Sequence, residues 1–304
     1  MRAPITATLA ALTLSTTAAH ANPWTRDQGS YYVNLSYATI GASKYYAPTG
    51  ETVPIGNAYR QHSVGLYTEL GIVDRWLTGV LDANLYRRSS LEDQGYVHGL
   101  GDLRLGLRSG LLVEPLRLTA GLTVGVPTGD PVPRPDAGSD TGADLVAASL
   151  PTGDGEPDVE LSLAAGKGFG GPGSFWPLRH YAIAELGYWL RTKTRANPVS
   201  GPADLSFADA VNWRFELGVN LPWRVVERAW IMGRVFGSES LAGEDDAQVG
   251  FSGLGNGVTH RSYAVEVYVR LWRGLGLSFA RSGAWFARGI AAGAQYRAAL
   301  SWES

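Results

Sequence analysis

The chain contains no cysteine and only 2 methionines among its 304 residues. Without cysteine there is no disulfide framework, no thiolate metal site and no cysteine nucleophile. Charge is also sparse, at 18% of residues with a formal net charge of −2. A nucleic-acid binder would be basic, with its cations clustered, so that class is excluded. Long apolar runs are missing too. Outside the N-terminus, nothing approaches the roughly 20 apolar residues a membrane-spanning helix needs, although 45% of residues are hydrophobic. A transmembrane barrel needs only alternation, so it carries such a composition without a hydropathy peak. No low-complexity linker divides the chain, which favours one domain.

Glycine (39), tyrosine (14) and tryptophan (10) are plentiful, which favours strands and turns. The N-terminus reads as an export signal. Arg2 supplies a positive start, Ile5 to Leu14 is apolar, and Ala19-His20-Ala21 fits a small-x-small cleavage site. Residues 1–21 are therefore expected to be removed, leaving 22–304 as the barrel. Losing Arg2 and no acid takes the formal charge from −2 to −3.

Beyond the leader, the hydrophobic period is two. Tyr31, Val33, Leu35 and Tyr37 alternate with Tyr32, Asn34 and Ser36. Leu103, Leu105 and Leu107 alternate with Asp102, Arg104 and Arg108. Trp213, Phe215, Leu217 and Val219 alternate with Arg214, Glu216 and Gly218. A helix would repeat at three to four. The pattern predicts about twelve strands: 30–40, 59–72, 76–87, 100–111, 116–127, 158–167, 180–191, 211–221, 229–238, 261–272, 274–281 and 290–302. The segment from Trp230 to Phe236 has the weakest alternation. Tight turns are expected at Val73-Asp74-Arg75, Val113-Glu114-Pro115 and Arg273-Gly274. Longer loops are expected at 41–58, 88–99, 128–157, 192–210 and 239–260.

This short–long rhythm is that of an all-β, antiparallel, up-and-down transmembrane barrel. A soluble sandwich also alternates, but here the non-apolar phase is charged in strand after strand. Aromatic residues gather near strand ends, as at membrane interfaces: Tyr31, Trp76, Trp223, Trp230, Trp272 and Trp302 on the turn side, Tyr37 and Tyr188 on the loop side. The alternation of Tyr296, Ala298, Leu300 and Trp302 resembles the terminal signal read by the outer-membrane assembly machinery. The expected surroundings are bacterial outer-membrane lipid.

The inward phase carries the lumen candidates. Its acids are Glu69, Asp82, Asp102, Glu160, Glu185, Glu216 and Glu266. Its bases are Arg104, Arg108, Arg117, Arg191, Arg214, Arg234, Arg270 and Arg297. Arginine pairs bidentately with carboxylates and keeps its charge when buried. Such a set either rigidifies a closed barrel through pairing or lines a polar path, and the sequence leaves both open.

Pro-Thr-Gly-Asp occurs at 127–130 and again at 151–154. With Asp136, Asp140 and Asp144 it raises a cation site, but the spacing is not that of a calcium loop, and a glycine turn followed by a solvated aspartate explains it. The histidines are scattered, no Gly-x-Ser-x-Gly elbow is present, and no β–α unit follows the glycine pairs. No enzyme activity, metal or cofactor is expected.

Glu69-Leu70-Gly71-Ile72-Val73-Asp74-Arg75-Trp76, Gly99-Leu100-Gly101-Asp102-Leu103 and Gly125-Val126-Pro127-Thr128-Gly129-Asp130 together resemble the outer-membrane transporter family labelled "MetA-pathway of phenol degradation", itself distantly similar to the FadL-type transporters of hydrophobic compounds. The resemblance implies a barrel that takes up small hydrophobic or aromatic solutes. FadL-type barrels fill the lumen with an N-terminal hatch. Asn22 to Gly29 reads as too short for one, which leaves the charge network, the 168–178 turn or a folded-in 128–157 loop as gates. The alternatives are a closed structural or adhesion barrel and, third, an outer-membrane hydrolase.

Overall fold

The computed structural model describes residues 23–92, 95–130, 150–171, 178–192, 207–223, 226–242 and 257–304. The expected leader lies outside them, as do Asp136, Asp140 and Asp144. The strands are β1 (Tyr31–Tyr46), β2 (Thr52–Val73), β3 (Leu77–Leu91), β4 (Gly95–Gly99), β5 (Leu103–Leu112), β6 (Arg117–Val126) and β7 (Asp158–Phe169). They continue as β8 (His180–Arg191), β9 (Ala210–Trp223), β10 (Val226–Ser240), β11 (Thr259–Trp272), β12 (Leu275–Arg288), β13 (Ile290–Ala291) and β14 (Gln295–Glu303).

Twelve of these are staves of one closed antiparallel barrel. β4 only extends β3, and β13 only pairs the far end of β1. Neighbouring staves follow one another along the chain, and β1 closes the ring by pairing with both β2 and β14. Closure gives each of the twelve staves a neighbour on both sides. Among the described residues there is no helix.

Burial is inverted relative to a soluble domain. Leu217 is 62% exposed and Phe215 54%, whereas Glu69 and Asp82 are each 3% exposed. The apolar phase thus faces out as a belt and the charged phase faces in, which is the arrangement a bilayer demands of a barrel. Tyr31, Trp76, Trp272 and Trp302 stand exposed at the turn end, where Trp302 donates to the Tyr31 hydroxyl at 3.2 Å. Tyr37 and Tyr188 are exposed toward the loop end.

The tight turns fall where the sequence places them. At β11–β12, Gly274 has φ +89°, and a Cβ there would collide with the Glu303 carbonyl. Other expectations need correction. Residues 41–58 are mostly strand, because β1 and β2 extend as a hairpin beyond the belt. Ile40, Ala42, Ile55 and Tyr59 point inward there, opposite Gly41, Gly56 and Arg60, so the alternation persists beneath a loop-like composition. β3 and β4 do the same in 88–99, and β12 runs on to Arg288. The strand expected at 290–302 divides into β13 and β14. Trp230 is not in the girdle: it faces the lumen and packs on Tyr181 with ring centroids 5.5 Å apart. The side chain of Trp223 lies outside the described residues.

Candidate functional site

Antiparallel pairing places most of the inward charges. Asp82 stands directly opposite Arg104, Glu185 opposite Arg214, Glu216 opposite Arg234 and Asp158 opposite Arg191. Opposite charges in such cross-strand pairs stabilise the sheet, and they fix its register.

Three groups of side chains then form across the wall. On β2 and β5, Arg108 Nη1 lies 3.0 Å from Glu69, and Tyr67 donates to Glu69 at 2.6 Å. On β5, β7 and β9, Arg104 reaches Glu160 at 2.9 Å and Asp158 at 3.3 Å, while Asn212 donates to Glu160 at 3.0 Å. On β9, β10, β11 and β14, Arg234 bridges Glu216 and Glu266, the latter at 2.6 Å, and Arg297 reaches Glu266 at 3.1 Å. Tyr181 donates to Glu216 at 2.6 Å. Arg214 pairs with Glu185 at 3.2 Å.

Four candidates, Arg270, Arg117, Asp102 and Arg191, lie off this network. Arg270 sits at the turn end and pairs with Glu303. Arg117, the first residue of β6, makes no ion pair among the described residues. Asp102 is inward but precedes β5 rather than lying within it.

Between the β2 group and the Arg234 group lies a cavity of about 440 Å³. Its lining interleaves apolar and polar side chains: Arg234 lies between Met232 and Phe236 on β10, Ala264 is paired with Ser282, and Ala280 with Arg297. The weak alternation of β10 is explained here, since its inward phase reads Trp230, Met232, Arg234, Phe236.

Pro23–Arg26 enters the turn end of the lumen, with Asp27 and Gln28 exposed at its rim, so a segment expected to be too short for a hatch still reaches inside. Arg26 Nε lies 2.7 Å from Glu69, and its backbone N–H donates to Thr78 at 2.9 Å. Trp24 packs edge-on against Tyr181 at 5.5 Å. Pro23 is buried against Gly166, whose missing side chain makes the room. The segment thus reaches from β1 to β7 and β8, on the far side of the ring.

At the loop end, the two Pro-Thr-Gly-Asp copies clasp each other. Thr152 N–H donates to the Asp130 carbonyl at 2.9 Å, and Asp130 N–H to the Thr152 hydroxyl at 2.8 Å. Asp102 caps both, accepting from Gly129 N–H at 3.0 Å and Asp154 N–H at 2.9 Å. Arg191 then binds Asp154 at 3.2 Å and also Glu156. Burial, with the Asp102 charge adding to it, pushes the Asp154 carboxyl up to about 7, against the pull of Arg191. Burial likewise pushes Glu156 up to about 8. Both desolvated acids are partnered by Arg191, and no group of three or more His, Cys, Asp and Glu that could hold a metal ion is found among the described residues.

Beside the clasp, Tyr59, Leu91, Val97 and Leu150 form an apolar cluster with Ile290 and Ala287. Arg87 enters it, donating to the Thr152 carbonyl at 3.3 Å. Counting by twos from Asp82 would place Arg88 inside. The irregularity where β2 pairs β3 at Val64/Gly65 flips the phase, so Arg87 faces in and Arg88 out. Arg26, Tyr67, Arg87, Glu156, Tyr181 and Trp230 were not among the lumen candidates, and Asp154 was raised only as a cation ligand. Tyr67 was findable, two residues from Glu69 on the same face.

His260 Nδ1 lies 3.2 Å from Ser262, but Ser262 is wholly buried on the same strand face, so its hydroxyl is no accessible nucleophile.

No protein-family model matches the chain, and no curated protein matches it. Solved structures do. The fold is similar to an outer membrane channel from Pseudomonas putida F1, with TM-score 0.63 and 13% identity over 93% of this chain and 98% of that one. The β domain of the Bordetella autotransporter BrkA aligns with TM-score 0.48 and 14% identity over 91% of this chain and all of that one. The translocator domain of the autotransporter NalP from Neisseria meningitidis aligns at 0.47 and 11%, over 90% and 88%. The likeness to the Pseudomonas channel is one of fold: this chain has the barrel architecture of an outer membrane channel.

Proposed function

We propose that the protein is an exported outer-membrane barrel, residues 22–304 after removal of 1–21, that passively admits small hydrophobic or aromatic compounds without enzymatic chemistry. The observation that carries this reading is the lumenal cavity of about 440 Å³, where Trp230, Met232 and Phe236 offer an aromatic solute apolar contact among paired charges. A volume of this size is in the range of small-molecule pockets. The balanced lining favours uncharged solutes, because an ion-selective path would carry an excess of one sign. The similarity of fold to an outer membrane channel and the family resemblance point the same way.

The test is planar-bilayer conductance together with liposome swelling on simple aromatic solutes. Neither conductance nor swelling, from barrel that is heat-modifiable on gels, would sink the transport reading. A closed structural barrel is the second reading. It is favoured by the filling of both ends, Pro23–Arg26 at one and the Tyr59–Leu150 cluster at the other, and it predicts that null result.

A further inference from the structure

The outer face of β2, β3 and β4 changes character at one level. From the turn end, the outward residues of β2 are Ile72, Leu70, Thr68, Leu66 and Val64, followed by His62 and Arg60. The eight steps from Ile72 to Val64 span about 26 Å of strand, or about 20 Å along the membrane normal at a usual tilt. His62 and Arg60 therefore emerge where an apolar bilayer core gives way to headgroups. Arg88 of β3 is directly opposite His62, and His98 of β4 directly opposite Arg88. Adjacent strands are about 4.8 Å apart, so these groups share one small patch.

The patch is framed by aromatic rings. The Arg88 guanidinium lies 4.3 Å from the Tyr96 ring centroid. His98 stacks on Tyr96 at 5.9 Å and approaches Tyr86 at 6.1 Å. The Tyr37 hydroxyl lies 2.7 Å from His62 Nδ1; with that hydroxyl as donor, the ring's Nε2 carries the proton. Arg60 and Arg88 are exposed, and neither makes an ion pair among the described residues. Elsewhere on the outer face, Arg261 is matched by Glu239 at 2.7 Å. Among the described residues, Glu92, exposed just after β3, bonds neither arginine.

We propose that this face binds a phosphorylated lipid headgroup of the surrounding leaflet. Arg60, Arg88 and His62 take the phosphate, and the acyl chains lie down Val64, Leu66 and Leu85. Arginines that no described acid pairs call for an anion with several acceptor oxygens. Their place at the upper rim of the apolar belt calls for one attached to hydrocarbon. A free phosphate satisfies only the first requirement. The inference rests on the membrane reading of the barrel.

The experiment is native mass spectrometry of the whole barrel released from neutral detergent, with dioleoyl phosphatidic acid and dioleoylglycerol as probes. These two lipids differ only in the phosphate. The wild type is expected to retain phosphatidic acid about thirtyfold over the diacylglycerol, since an arginine near an anionic lipid contributes about a factor of five. R60Q/R88Q should bring the ratio to near parity, and R261Q should leave it unchanged. Inorganic phosphate in large excess should leave the lipid bound.

Equal retention by wild type and R60Q/R88Q overturns the proposal, and so does displacement by inorganic phosphate. If folded, heat-modifiable barrel shows no preference, this inference fails alone. If the chain does not fold in detergent as a heat-modifiable barrel, the membrane reading fails with it.

Discussion

Arg26 Nε lies 2.7 Å from Glu69 Oε2, tying the segment before the first strand to the inner wall of β2. Glu69 is also held by Arg108 at 3.0 Å, so one buried carboxylate serves two cations from different parts of the chain. The end of the lumen is therefore filled by the same ion-pair chemistry that lines its wall.

If that segment obstructs the lumen, loosening it raises conductance. Arg26→Ala leaves Glu69 paired with Arg108, and a loss of only about 1–3 kcal/mol is expected. Gly166→Val acts sterically, because a side chain there collides with Pro23. Both variants should conduct more than the wild type in planar bilayers. Unchanged conductance in both, from folded protein, would show that Pro23–Arg26 does not set the aperture.

Glu266 accepts from Arg234 at 2.6 Å and Arg297 at 3.1 Å. In Glu266→Gln both cations lose the carboxylate they share, while Arg234 keeps Glu216. Removing one partner of a buried ion pair costs about 3–5 kcal/mol, measurable as a lower urea midpoint in lipid vesicles. The lumen also gains one net positive charge, so the reversal potential should shift toward anions. An unshifted potential would place Glu266 off the permeation path.

The loop-end clasp should respond to pH in one direction. Asp154 and Glu156 are raised to about 7 and about 8, so the folded clasp holds protons that the opened chain releases from the ordinary carboxylate range upward. Stability then falls as pH rises through these values and is greatest at the acid side. Amide exchange at Gly129, Thr152 and Asp154, corrected for intrinsic rate, should be slower at about pH 5.5 than at about pH 8.5. Asp154→Asn should flatten the trend, and faster exchange on the acid side would contradict it.

Trp230 lines the cavity and packs on Tyr181. Trp230→Ala should cost about 2–4 kcal/mol of stability. In liposome swelling it should lower the rate for an aromatic solute relative to a sugar of similar mass. An unchanged ratio would remove Trp230 from the solute path.

The barrel was legible because side-chain direction in a strand depends only on parity. Leu103, Leu105 and Leu107 against Arg104 and Arg108 need no tertiary information to be sorted onto two faces. Parity fails where the ladder slips. The irregularity between β2 and β3 exchanged Arg87 for Arg88, and no residue type announces it. It also misleads where the inner face is itself apolar: Trp230 resembled a girdle residue only because the lumen was expected to be polar throughout. The hairpin in 41–58 was hidden by Gly and Pro, which mark loops statistically while still accepting extended geometry at a barrel's outer end.

The sequence by itself determined the period, the sign of each face and the near balance of arginine and carboxylate, since these follow from local chemistry and parity. Only the tertiary structure decided which charges meet, because cross-strand register joins residues far apart in the chain, such as Glu216 with Arg234 and Glu266. It alone also placed Pro23–Arg26 in the lumen. That outcome depends on an open space at Gly166 and a carboxylate at Glu69, and both exist only once β1 and β14 close the ring.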